Sequence, residues 1–259
     1  MKKNILLMWF VLMASYVGAQ QIQTDRPDQT ESYFTVPKNY FQIETGYMFE
    51  KFSSEDLKRN TYNTTLLRYG LLKSMELRFN IAYIDEDGID GNNYSESGIG
   101  NMEVGIKYHV MDQDGAVPAL SILFHVVLPA GEEALSPEHS EPVFKALGGW
   151  ELNEKSNLSY NVGMTWPSNS EKEQWTYSVA YGHSIVHQIG AFVEFYGYGD
   201  SDDSQNMFDM GFTYLLNDHL QFDVSAGANL KGFGKGYFLS GGVSYLFPLE
   251  KNKRMEMKK

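Results

Sequence analysis

The sequence predicts an all-β protein: a transmembrane antiparallel up-and-down β-barrel of about 12 strands. Three observations predict it. From Tyr40 onward apolar and polar residues alternate with period two, which is the mark of a strand with two unlike faces. The connections between the alternating runs are short and long in turn. The aromatic complement is large, 16 Phe, 17 Tyr and 4 Trp, and several of its Tyr and Trp residues fall at the ends of the runs.

The first element is not part of the fold. Lys2 and Lys3 precede an apolar run, Ile5 to Met13, and Val17-Gly18-Ala19 offers a small-residue cleavage site. Residues 1–19 therefore read as a signal peptide, with a mature start at Gln20. The apolar run is too short to cross a bilayer core of roughly 30 Å as a helix. Residues 20–39 form an N-terminal segment, periplasmic or lumenal, ahead of the first strand. A barrel is expected over 40–247 and a basic tail over 248–259, where Lys251 to Lys259 carries five basic residues and one acid.

Within the barrel, Met75, Leu77, Phe79, Ile81 and Tyr83 share one face, with Glu76, Arg78 and Asn80 on the other. The same scheme recurs over Asn157 to Trp166, Met207 to Tyr214 and Leu220 to Ala228. Twelve runs are predicted: 40–49, 62–69, 75–83, 99–110, 118–128, 143–151, 157–166, 175–182, 189–198, 206–215, 220–228 and 237–247. Even-numbered runs are followed by short connections and odd-numbered runs by longer or more polar ones. That asymmetry, with an even strand count, is the pattern of bacterial outer-membrane barrels with both termini on the short-turn side. Tyr83, Trp166 and Trp175 fall at the outer rim, and Tyr69, Tyr108, Trp150, Tyr181 and Tyr214 at the inner rim, as interfacial girdles require.

One face collects Glu44, Arg68, Glu76, Arg78, Glu103, Lys107, Lys145, Glu194, Asp209 and Asp223. Burying so many ions dry would cost several kcal/mol for each unpaired group, so they are assigned to a wet lumen and the apolar face to lipid. Net charge −12 argues against nucleic acid as a partner, and the absence of cysteine excludes thiolate metal sites and thiol catalysis.

Residues 23–31 (QTDRPDQTE), with Val36-Pro37-Lys38 and Phe41-Gln42-Ile43-Glu44-Thr45-Gly46, carry a family resemblance. Leu67-Arg68-Tyr69-Gly70-Leu71, Glu76-Leu77-Arg78, Gly98-Ile99-Gly100-Asn101, Gly105-Ile106-Lys107-Tyr108, Leu128-Pro129-Ala130-Gly131 and Gly241-Gly242-Val243-Ser244-Tyr245 extend it. The chain resembles the outer-membrane transporter family named for the meta-pathway of phenol degradation. The resemblance implies a channel or uptake role in the outer membrane of a Gram-negative bacterium, for small solutes with aromatic or hydrophobic compounds among them. It also implies insertion by the barrel-assembly machinery, with Phe247 as the terminal aromatic of the last strand.

Thr24, Asp25, Arg26, Pro27, Asp28 and Gln29, with Glu31, are the candidate plug: their charges match lumenal Arg68, Arg78, Lys107 and Lys145. Arg68 and Glu76 flank one short turn and suit a structural pair, whereas Arg78, Lys107, Glu194 and Asp223 suit a constriction lining that selects solutes. Gly148-Gly149 and Gly241-Gly242 are possible points of weak strand pairing. The outer loops are expected to hold Asp85, Glu86, Asp87, Asp90 and Glu96, then Glu132, Glu133, Glu138 and Glu141, then Asp200, Asp202 and Asp203, facing lipopolysaccharide. No cofactor or metal is implied. The histidines, His125 and His109 included, match no hydrolase motif, so an enzyme is not expected. The competing reading is a closed structural or interaction barrel with acidic surface loops.

Overall fold

A computed structural model describes residues 21–52, 57–90, 92–231 and 236–249. The signal peptide assigned to 1–19 and the tail from 250 onward lie outside the described residues. Twelve strands follow one another: β1 (Tyr40–Phe52), β2 (Leu57–Leu72), β3 (Met75–Asp90), β4 (Asn92–Met111), β5 (Ala119–Leu128), β6 (Glu141–Asn153), β7 (Ser156–Thr165), β8 (Gln174–Val186), β9 (Ile189–Gly199), β10 (Ser204–Asn217), β11 (Leu220–Lys231) and β12 (Gly236–Pro248). Each pairs antiparallel with its neighbour in sequence, and β1 pairs with β12 to close the barrel. At the seam Tyr40 stands opposite Pro248, Phe41 opposite Phe247 and Gly46 opposite Gly242. Closure leaves no ladder group unpaired at a sheet edge, which an apolar solvent demands.

The two faces separate as the alternation predicts. Val162, Phe212, Val224 and Leu239 point outward and are each more than half exposed, a surface suited to lipid. Tyr47, Tyr83, Trp166 and Trp175 ring the long-loop end, and Tyr108, Tyr181, Tyr214 and Tyr245 the short-turn end, all facing outward. Inside, Arg68, Glu76, Lys107 and Asp209 are wholly buried.

Two expectations change. The stretch around Asp85–Glu96 is not a loop, because β3 and β4 continue as a hairpin and Glu86 is buried. Period two persists there, with Ile84 and Glu86 inward. The glycine pairs do not interrupt the wall either. Gly148 and Gly149 pair with Leu120 and Ala119, and Gly241 and Gly242 with Tyr47 and Gly46.

Candidate functional site

Residues 21–39 contribute no strand. They enter at the short-turn end, where the Ile22 amide donates to the Asp218 carbonyl at 2.8 Å. Ile22 and Val36, the two feet of the segment, pack with Leu215, Leu246 and Tyr40. Tyr33 and Phe34 pack against Ala119, Leu123 and Leu147 across the lumen. Between these apolar anchors, Thr24–Ser32 is too polar to bury except against charged wall residues, and Pro27 removes a ladder donor. A turn at Lys38–Asn39, with Asn39 at φ 65° and the Tyr40 amide donating to the Pro37 carbonyl, swings the chain from lumen to wall. Asparagine tolerates that left-handed geometry.

Asp25 is the hub. Lys107 Nζ reaches its two oxygens at 3.1 and 3.0 Å, Arg78 donates at 2.5 Å, Arg68 lies at 3.5 Å, and the Ser32 amide donates at 2.9 Å. Arg68 forks onto Glu76 with Nε and Nη2, both at 2.9 Å, and gives Nη1 to Glu44 at 2.8 Å and to the Gln23 carbonyl at 3.0 Å. Glu44 accepts the amides of Asp25 and Arg26 at 2.9 and 3.0 Å, and Glu76 accepts that of Val36 at 2.6 Å. Glu31 takes Arg78 at 2.8 Å and Lys145 at 2.7 Å.

Arg26 turns the other way, to Asp223 at 2.9 Å and the Ser240 hydroxyl at 3.1 Å. Its guanidinium lies in a slot made by Gly46 and Gly242, where a Cβ would meet Arg26 atoms at 2.2 and 2.4 Å. Gln221 donates to the Thr24 hydroxyl at 2.8 Å. Glu194 accepts the Gln29 amide at 2.7 Å and the Thr30 hydroxyl, which also meets Ser178.

The lumen is thus split by charge. Arg68, Arg78, Lys107 and Lys145 line β2, β3, β4 and β6, and the segment answers with Asp25 and Glu31. Opposite, Asp209 faces Glu194 in register, and both Asp209 oxygens are buried without a hydrogen-bond partner. Burial pushes the Asp25 carboxyl up, but Arg68, Lys107 and Arg78 outweigh it and hold it far below the ordinary range. Burial likewise opposes Glu31, and Lys145 and Arg78 hold it low. For Asp28, burial and the nearby Glu194 carboxylate act together, and its carboxyl is pushed well up.

Of the sequence-derived set, Glu44, Arg68, Glu76, Arg78, Lys107, Lys145, Glu194 and Asp223 all bond or pair with residues 23–36. Glu103 instead pairs with His125, Oε2 to Nδ1, at 3.3 Å. The charges are shielded chiefly by one another and by the N-terminal segment, where the sequence assigned them to a wet lumen. Sequence reasoning missed the uncharged contacts of Ser121, Asn161, Ser178 and Ser240, and the Gly46–Gly242 slot. Their inward parity was the available signal. A cavity of about 430 Å³ near Glu86, Asn101, Thr165 and Lys172 lies at the long-loop end. Another, of about 230 Å³, lined by Asp28, Thr30, Asn157, His183 and Gln221, lies beside the segment.

His109 links Ser121 at 3.1 Å and Asp112 at 2.8 Å. This is no nucleophile site: Ser121 is wholly buried and donates to the Tyr33 carbonyl at 2.5 Å, and the Asp112 carboxylate stands in solvent. Among the described residues, no three His, Asp or Glu side chains converge to hold a metal ion.

An apolar belt, two aromatic rims and a charged lumen define an outer-membrane β-barrel of the Gram-negative type. Its fold is similar to that of the COG4313 outer membrane channel from Pseudomonas putida F1 (TM-score 0.67, 14% identity, 87% of this chain and 100% of that one). It is also similar to the KdgM porin in complex with disordered oligogalacturonate (0.59, 9%, 79% and 98%). The translocator domain of autotransporter NalP from Neisseria meningitidis shares the fold as well (0.55, 10%, 93% and 95%). At these identities the likeness is one of fold. No curated protein matches the sequence. The chain belongs to the family described as "Putative MetA-pathway of phenol degradation", whose pattern matches residues 24–247.

Proposed function

We propose that the protein is a passive outer-membrane channel for small solutes, throttled by its own N-terminal segment. The observation that carries this reading is the way the segment is held. Residues 21–39 cross the lumen with no strand of their own, through side-chain ion pairs and hydrogen bonds that a solute or water can replace. The barrel wall closes without them. Ion pairs of this kind hold a segment in place without a covalent or ladder bond, and a charged solute that supplies the same partners can compete for them. The role of Arg78, Lys107, Glu194 and Asp223 is then to line the constriction once the segment shifts. The family's description, which names phenol degradation, supports aromatic compounds as the solute class. On this reading the protein is not an enzyme, and its partners are membrane lipid, lipopolysaccharide, the assembly machinery and the solute.

Planar-bilayer recording of the mature chain beside a variant lacking residues 20–35 tests the proposal. The full chain is expected to give small, fluctuating currents and the shortened one a larger, steadier unit current. Silence from both would favour a closed structural barrel.

A further inference from the structure

We infer that the Arg68–Arg78–Lys107 cluster is a receptor for a free carboxylate, which Asp25 occupies in the resting barrel and which a solute carboxylate takes over when the N-terminal segment leaves. The inference deepens the channel reading by naming the chemistry of the solute.

Three cations from adjacent strands β2, β3 and β4 converge on one carboxylate. The wall supplies only two anions to the same three cations, Glu44 and Glu76. When the segment leaves, Asp25 and Glu31 go with it, and Arg68, Arg78 and Lys107 face only the wall carboxylates Glu44 and Glu76. That local excess of positive charge inside the barrel favours entry of an anion.

The donor geometry says which kind. Lys107 spans both oxygens of Asp25, while Arg78 meets Oδ2 alone. A planar two-oxygen acceptor satisfies these directed donors together, whereas a spherical halide cannot. Across the lumen stand Glu194, Asp209 and Asp223, so the rest of the solute is favoured when it is neutral or cationic. The N-terminal segment shows that pattern itself: Asp25 enters the cationic cluster while the neighbouring Arg26 binds Asp223. It acts as a tethered imitation of the solute.

The test uses the full mature chain with Asp25→Ala, and sodium acetate and sodium benzoate as probes beside sodium chloride and acetamide at equal concentration. Thermal unfolding in detergent reads binding without requiring transport. The carboxylates are expected to raise the unfolding midpoint of Asp25→Ala by several degrees and to leave the unsubstituted chain unmoved. Chloride and acetamide are expected to do nothing. An equal response to chloride, or none to any probe, would overturn the inference.

Should Asp25→Ala not assemble, the variant lacking residues 20–35 replaces it. Its sodium chloride current is expected to fall on adding benzoate, and Lys107→Gln in that background to remove the effect. A current insensitive to benzoate would count against the receptor while leaving the channel intact. A barrel that binds acetate but passes no current would defeat the channel alone.

Discussion

Arg68 shows how much one side chain can hold. Wholly buried, it serves Glu44, Glu76 and the carbonyls of Gln23 and Phe34 at once. Arg68→Ala strands two carboxylates, and the expected loss is about 3–5 kcal/mol, since removing one partner of a buried pair leaves the other uncompensated. Urea unfolding in lipid would read it. Arg68→Lys should recover only part, because an ammonium cannot fork onto Glu76. At the slot, Gly46→Leu would drive its side chain into the Arg26 guanidinium. The expected result is a larger bilayer current together with a loss of stability, because displacing Arg26 leaves the buried Asp223 carboxylate without its cation. Inward-facing charges such as Arg68 and Asp223 were legible from parity in the sequence. Their partners were not, because parity fixes the face of a residue and not the depth at which Thr30 meets Glu194 or Arg26 meets Asp223.

At the scale of the element, the N-terminal segment responds to pH in two opposed ways. Asp25 and Glu31 keep their charge to lower pH when seated than when released. Their contribution is therefore complete above the ordinary carboxyl value of ~4 and lost as pH falls below it. Asp28 keeps its proton to higher pH when seated. From ~4 up to that raised value the seated form binds more protons, so seating weakens as pH rises. Mean current is expected to grow as pH rises above the ordinary carboxyl value of ~4, and Asp28→Asn to flatten that rise. A fall in current across the range would refute it. Among the elements, the twelve strands were readable because alternation is a local property. The β3–β4 hairpin is hard to read from sequence because its acidic residues resemble loop composition, although period two persists through Ile84 and Glu86.

For the whole molecule, the apolar outside and charged inside define what each surface tolerates. Val224→Arg on the outer face is expected to cost roughly 2–4 kcal/mol if the residue lies near mid-membrane. A polar change at inward Ser240 should instead alter current with far less effect on stability. Denaturant titration of the two variants in one lipid separates these outcomes, and equal losses would contradict the assignment of faces.

The N-terminal segment sits in the lumen, and on the reading proposed above it limits flow. The chain has no cysteine, and Thr30 and Ser178 hydroxyls lie 2.7 Å apart, so a Thr30→Cys, Ser178→Cys pair can lock the segment without background. Current through one such channel, recorded before and after adding a reductant, is the decisive measurement. The expected result is a low, quiet current while the disulfide holds and a larger one after reduction. Failure of the pair to cross-link, or a current indifferent to reduction, would contradict it.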